Sequence, residues 1–421
     1  MADYRQIYAE DGSLEICWED VFRAREKLQL PYMGNKKKFL WAFPPRLKAH
    51  GIEFDTILDA FCGSGAVTYM FKALGARVLA NDFLTHAHLA TIAFVENQTT
   101  RLSDEDKEFL LEHQNPGASK FIRRGYLAED FRKEAGFSEE GLQFGFLTFK
   151  EALQFDNFRA NVDDRFDIEV GQVRARSNLL PELQKFIDGN IPPEDHKRIK
   201  WATALANFNQ MFLKFFSPGR DNYGGRAGAR IDYRLKHAKS KGNWRYNADY
   251  STEVNLRFAM DDWWKTLVRA QLPGRCRVSC MDIIALLQAT SGFDCVYFDP
   301  PYGGAKKSTS DYAEHYRFCE AYVHGCEIEE LPHIRTGAAR FGSDQATYEK
   351  NFELMLESSV DIPIWLFSYN DRSWSGIEAI AEKIKRFKPR VDIDHLADHR
   401  YRCSKGANAS DFRKEFLIVA R

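Results

Sequence analysis

The sequence predicts an α/β protein, a doubly wound and mostly parallel sheet with an antiparallel C-terminal edge and a large inserted, mainly helical region. Three observations carry this. Residues 55–97 alternate strand and helix twice, residues 278–299 give strand, helix and strand, and residues 362–387 with 414–421 close on strand, helix and strand. Apolar strands alternating with amphipathic helices build a parallel sheet covered on both faces.

Each element has its own reason. "DTILDAF" (55–61) is β-prone and apolar, "CGSG" makes a tight turn, and "AVTYMFKALG" is an amphipathic helix closed by Gly75. "ARVLAND" is the next strand and "THAHLATIAFVEN" the next helix. After a long interval come a strand starting at Val278, the helix "MDIIALLQATSG" and the strand "FDCVYFD". "IPIWLFSYN", "GIEAIAEKIKRF" and "KEFLIVAR" complete the order. The terminal stretch from His399 predicts two strands joined by a polar loop. Residues 98–271 break the alternation, so the chain divides into a catalytic unit, 1–97 with 272–421, and an insertion, 98–271. Within it, residues 196–216 carry apolar positions at helical spacing and predict a helix.

Composition narrows the class. At 421 residues with 44% hydrophobic content the chain buries a large core. A formal net charge of −1 excludes only a globally basic coat for nucleic acid, because local asymmetry is hidden in it. The eight cysteines are scattered, and Cys276 and Cys280, four apart, have poor zinc spacing, so free thiols in a reducing cytoplasm and no structural metal are expected. No apolar run reaches the length of a membrane span. From Gly219 to Tyr250 there are eight Lys or Arg (Arg220, Arg226, Arg230, Arg234, Lys236, Lys239, Lys241, Arg245) against three Asp, interleaved with glycines and aromatics. Such a segment suits phosphate clamping with base stacking, against the blander reading of a solvated loop.

Three motifs carry chemistry. In "DAFCGSG", Gly63 and Gly65 let backbone approach a ligand at a helix N-terminus. Asp82 ends the next strand, where an acid accepts hydrogen bonds from ribose hydroxyls, and Asp59 adds a second negative charge. Two acids without a nearby cation suit a positively charged ligand such as S-adenosylmethionine, and Thr68 stands where a dinucleotide fold would place its third glycine. "FDCVYFDPPYGG" leaves Asp299 at a strand's carboxyl end, followed by Pro300 and Pro301, which permit no further ladder bonds. "PYMGNKKKFL" reads by itself as a helix start with a charge run.

Taken in order, P-Y-M-G-N-K, D-x-F-x-G-S-G and D-P-P-Y resemble the alpha group of S-adenosylmethionine-dependent DNA adenine-N6 methyltransferases. Met33 and Asn35 depart from the Ala and Gly of many members. The resemblance implies a Rossmann-like methyltransferase core with the insertion as target-recognition domain. It places Tyr32, Gly34 and Lys36 with Phe61, Gly63 and Ser64 at the methionine end of the donor. Asp82 falls on the ribose, and Asp282 and Ile283 on the adenine; Asp282 reads equally well as a helix N-cap. Asp299 and the Pro300 carbonyl would each accept one hydrogen of the target N6, localising its lone pair, while Tyr302 stacks on the flipped base. Lys306, Lys307, Tyr312 and Tyr316 would form a lid over that base. The implied partners are double-stranded DNA and a separate restriction endonuclease acting on the same site, with no membrane. Rival readings are an RNA adenine or protein-glutamine methyltransferase with the same tetrad, a nicotinamide-dependent oxidoreductase, which leaves D-P-P-Y idle, and a DNA-binding protein with a dead core.

Overall fold

The computed structural model describes residues 36–114, 147–215, 256–301, 316–326, 344–371, 375–400 and 412–421, with residues 32, 143, 144, 312, 331, 341 and 373. Two 3₁₀ turns, Lys36–Lys38 and Leu40–Ala42, lead into α1 (Phe43–Ala49). Then follow β1 (Thr56–Asp59), α2 (Ala66–Ala73), β2 (Arg77–Asn81) and α3 (Thr85–Thr91). A π turn, Ile92–Glu96, widens the end of α3. Next come α4 (Asp104–Glu112), the short pair β3 (Gln143–Phe144) and β4 (Leu147–Thr148), and five helices. These are α5 (Phe149–Phe166), α6 (Val170–Ser177), α7 (Leu180–Ile187), α8 (His196–Phe215) and α9 (Leu256–Ala270). The chain continues with β5 (Cys276–Ser279), α10 (Ile283–Ala289), β6 (Cys295–Phe298), α11 (Arg317–His324), α12 (Gln345–Ser358), β7 (Ile364–Asn370), α13 (Ile377–Lys385), β8 (Val391–Arg400) and β9 (Phe412–Ala420).

The main sheet has the order β5-β2-β1-β6-β7-β9-β8. Its first five strands are parallel, and β9 runs antiparallel between β7 and β8. From β1 the chain winds outward through β2 to β5, then returns to the other side of β1 with β6 and β7. The crevice between the carboxyl ends of β1 and β6 is therefore a topological switch point, where open α/β sheets bind ligands.

Side chains alternate between two core layers as strand geometry demands. Ile57, Val78, Ala80, Cys295, Tyr297, Leu366 and Leu417 face a layer shared with α2 and α3. Leu58, Leu79, Val296, Phe298, Trp365, Phe367 and Ile418 face the opposite layer, shared with α7, α10, α12 and α13. Burial on both sides explains why these strands read as continuous apolar runs. The first layer also takes in Phe155 and Phe158 of α5, Trp201, Leu205 and Phe208 of α8, and Met260 and Trp264 of α9. These helices of the 98–271 segment thus pack in one core with the sheet rather than around a core of their own.

The edge differs from the prediction. Its outer strand begins at Val391, not near His399, because "VDIDHLAD" alternates polar and apolar residues as a half-covered edge strand does. All six described cysteines, Cys62, Cys276, Cys280, Cys295, Cys319 and Cys326, are free thiols. No helix among the described residues is long and apolar enough to cross a membrane.

Candidate active site

Three carboxylates end three neighbouring strands. Asp59 is the last residue of β1, Asp82 follows β2, and Asp299 follows β6. Counting by twos from Ile57, Ala80 and Tyr297 puts all three on the α2–α3 side of the sheet, and Asp59 feels the charges of both others.

Asp59 is fully buried and its Oδ2 accepts a 2.6 Å hydrogen bond from Thr68 Oγ1. Its Oδ1 is buried with no hydrogen-bond partner among the described residues. Burial, opposed by the Thr68 bond and helped by the charges of Asp299 and Asp82, pushes its carboxyl up to about 7. Asp82 accepts from Gly63 N at 2.8 Å and Leu84 N at 2.9 Å, so it staples the glycine turn to the start of α3. Burial outweighs those bonds and raises it to about 6. The turn itself requires glycine, because Gly63 sits at φ +49° and a Cβ there would lie 2.8 Å from Cε1 of Tyr32.

Asp299 keeps 19% of its side-chain surface exposed, and Pro300 behind it is buried. Its Oδ1 lies 3.3 Å from Nζ of Lys36, which also lies 3.3 Å from Oε2 of Glu415. Burial raises Asp299 to about 6 against the pull of Lys36, and Glu415 adds to the rise. Lys36, expected from the resemblance at the methionine end of the donor, thus pairs with both Asp299 and Glu415. The reason is that β9 brings Glu415 under it.

A ring stack covers the glycine turn. Tyr32 stacks on Tyr316 (centroids 5.0 Å, 14° between planes), on Tyr312 (5.6 Å) and on His86 (5.8 Å). Glu320 of α11 fixes this group, accepting hydrogen bonds from Thr85 N, His86 N and His86 Nδ1 at the start of α3. Burial alone would raise Glu320, but the His86 bonds hold it down at about 2. Tyr316 was expected to face DNA from a lid. It is fully buried, its ring packed against Tyr32 and His86. Tyr312 is half-buried at the end of the same stack.

At the carboxyl end of β5, Asp282 is exposed and caps α10 through Oδ1, which accepts from Ala285 N at 3.0 Å. One oxygen thus does the capping and the other faces outward. Ile283, expected against the donor's adenine, is buried in the opposite core layer. Phe83, next to Asp82, is 39% exposed, and Met281, next to Asp282, is half-buried against the same layer as Ile283; the sequence singled out neither. Phe61 is half-buried and meets Phe341 edge-on at 5.2 Å, on the far side from Asp59. Ser64 is buried in the turn. Pro301 is half-buried. Gly34, Tyr302, Lys306, Lys307 and the basic residues Arg220, Arg226, Arg230, Arg234, Lys236, Lys239, Lys241 and Arg245 lie outside the described residues.

Asn178, at the end of α6, grips the wall of this end from the insertion. Its Oδ1 accepts from Cys280 N at 2.7 Å and its Nδ2 donates to Cys280 O at 2.9 Å, extending the β5 ladder with a side chain. Asn81 does the same for Met281, accepting from its N and donating to its O, each at 3.1 Å.

The donor set suits a cationic nucleoside. Asp59 offers an unused buried oxygen to an ammonium, the Asp82 oxygens keep spare lone pairs for ribose hydroxyls, and Gly63 leaves room without a Cβ. Among the described residues no group of His, Cys, Asp and Glu is arranged to hold a metal ion.

A doubly wound sheet with an acid-lined switch point and an aspartate-proline-proline exit is the framework of a Rossmann-like methyltransferase. Residues 32–158 match the model of the D12 class N6 adenine-specific DNA methyltransferases, so the chain carries a domain of that family. The matched segment includes the glycine turn and Asp82 and ends before Asp299. Along most of its length the chain is also similar to the Type II methyltransferase M2.HphI of Haemophilus parahaemolyticus, at 23% identity over 370 residues, 86% of this chain and 89% of that protein. Both comparisons support DNA adenine methylation as the activity.

Proposed function

We propose that the chain transfers the methyl group of S-adenosylmethionine to N6 of an adenine extruded from duplex DNA, with Asp299 and the Pro300 carbonyl gripping the amine. The observation that supports this best is the convergence of Asp59, Asp82 and Asp299 at the switch point, with a buried Asp59 oxygen left for a cation. When bound, S-adenosylmethionine supplies an electrophilic methyl on a sulfonium centre. Asp59 and the turn at Gly63 and Ser64 hold the methionine end, Asp82 the ribose, and Phe83, Met281 and Asp282 the adenine.

Adenine N6 is a poor nucleophile because its lone pair is delocalised into the ring. The Asp299 oxygen turned away from Lys36 accepts one N6 hydrogen and the Pro300 carbonyl the other, which draws the nitrogen toward tetrahedral geometry. Proline at 300 has no N–H and a fixed φ, so that carbonyl is aimed before the base arrives. The ionised Asp299 would stabilise the positive charge that N6 acquires as it bonds the methyl carbon while the sulfonium–methyl bond breaks to leave a neutral thioether, and one N6 proton would then pass to water. Extruding the base costs a few kcal/mol of stacking, which the cations of residues 219–250 offset through phosphate contacts. Residues 98–271 act as the target-recognition region in this reading. The Type II methyltransferase among its relatives supports a restriction-modification setting in the cytoplasm, with a separate endonuclease reading the same site.

The test is incorporation of label from S-adenosylmethionine into duplex DNA, RNA or protein. N6-methyladenine in duplex DNA is expected, and Asp299→Asn should bind donor and DNA while losing roughly 10²–10³-fold in methyl transfer. Label in RNA or protein instead, or full activity of Asp299→Asn, would refute the proposal.

A further inference from the structure

Glu415 stands in the apolar strand β9, opposite Asn370 of β7, and is fully buried between strands that pack both core layers. A lone carboxylate in that position costs several kcal/mol unless something compensates it. The compensation is Lys36, itself 4% exposed, whose Nζ stands 3.3 Å from Glu415 Oε2 and 3.3 Å from Asp299 Oδ1. One cation is therefore shared by two anions. The other oxygen of Glu415, Oε1, is buried with no partner among the described residues, so the glutamate engages this cluster through Oε2.

We infer that Glu415 is a positioning residue for methyl transfer: by sharing Lys36 it keeps Asp299 oriented through Oδ1 while preventing the lysine from neutralising it. A carboxylate paired with a lysine of its own forms a neutral couple and is a weak acceptor for an N6 hydrogen. With Glu415 present, the three groups carry one net negative charge, and the side of that charge that faces the base belongs to Asp299. Among the described residues, the groups facing Asp299 include Lys36 from the 3₁₀ turn, Glu415 from β9, Asp59 from β1 and Tyr297 from β6, whose buried phenol stays neutral. The inference rests on the role proposed for Asp299. Glu415 touches neither donor nor base in it, and acts through Lys36 alone.

Two 3.3 Å contacts to one nitrogen keep the two carboxylate oxygens within about 6.6 Å of each other. At that distance a unit charge shifts its neighbour's titration by roughly one to two pH units. The experiment is an infrared titration of Asp299 in full-length protein labelled with ¹³C-carboxyl aspartate, using Asp299→Asn as the subtraction reference. Glu415→Gln should lower the Asp299 midpoint by about one unit or more, and Lys36→Gln should raise it, because it leaves two carboxylates together. Glu415→Asp, which retracts the charge by one methylene, should give an intermediate midpoint, and it decides the matter if Glu415→Gln does not fold. Single-turnover methylation should show the same displacement of the acid limb, with the Glu415→Gln plateau about tenfold lower and the dissociation constants of donor and DNA within threefold. A structural role alone would change the melting temperature and leave the midpoint where it was. An unmoved midpoint in both Glu415 variants overturns the inference. Wild-type protein that methylates no DNA would refute the proposed function instead, and the titration would still decide on Glu415.

Discussion

Replacing Asp59 by Asn should make the free protein more stable and the donor bind less tightly, two effects of opposite sign from one atom. Asp59 is fully buried, one oxygen is satisfied by Thr68, and the other has no partner among the described residues. Its carboxyl is raised from an ordinary 3.8 to about 7. A group whose folded pKa is raised contributes stability below its unfolded value and loses that contribution as the pH climbs through the folded one. By pH 8 the ionised Asp59 therefore costs the free protein on the order of 4 kcal/mol relative to a neutral group. Asparagine keeps an acceptor for Thr68 but turns an amide N–H₂ toward the unpartnered side, which returns about 1–2 kcal/mol of that gain. The net expectation is about 2 kcal/mol of added stability at pH 8, shrinking toward zero or reversing near pH 4. Urea unfolding of wild type and variant at pH 5 and pH 8 measures it. Donor binding by titration calorimetry should weaken by roughly tenfold to a hundredfold, as expected for losing a charge-assisted bond to an ammonium. A variant less stable than wild type at pH 8, or one that binds donor equally well, would refute the assignment of the free oxygen to a cation.

Gly63→Ala should cost about 1–2 kcal/mol from its left-handed backbone and further push Tyr32 out of its stack, so that both unfolding midpoint and donor affinity fall together. An unchanged donor affinity would show that the stack does not border the donor. Asn178→Ala leaves the Cys280 N–H and carbonyl without their amide partners, a loss of about 1–3 kcal/mol, and should weaken donor binding although the residue belongs to the insertion. Equal donor affinity in the variant would confine Asn178 to stability.

The parallel part of the sheet was legible because both of its faces are covered. Continuous apolar strands ending in Asp59, Asp82 and Asp299 mark strand ends by hydropathy alone, and glycines mark the turn between them. The Lys36–Glu415 contact was not legible, since the two residues are 379 positions apart and meet only because β9 inserts antiparallel beside β7. A trace of it was present: a single acid leading the apolar run "FLIVA" asks what satisfies it. The core layer that takes Ile283 was not legible, because the start of a helix does not say which layer receives the first side chain. The burial of Tyr316 was not legible for a related reason, since nothing local to "DYAEHYRF" reveals that Glu320 ties α11 to the start of α3. The helix α12 went unread because its apolar positions, Tyr348, Phe352, Met355 and Leu356, are diluted by charges.

Phe208 of α8 stacks on Tyr322 of α11 at 4.1 Å, and Arg198 of α8 pairs with Glu96 behind the sheet. Helices of residues 98–271 so interlocked with the sheet are not a cassette. A chimaera that took residues 98–271 wholesale from a sister enzyme would mismatch large aromatics against a fixed wall, and each void would subtract several kcal/mol. If these helices read the target as proposed, substitutions at their exposed positions escape that penalty, whereas exchange of the whole segment does not.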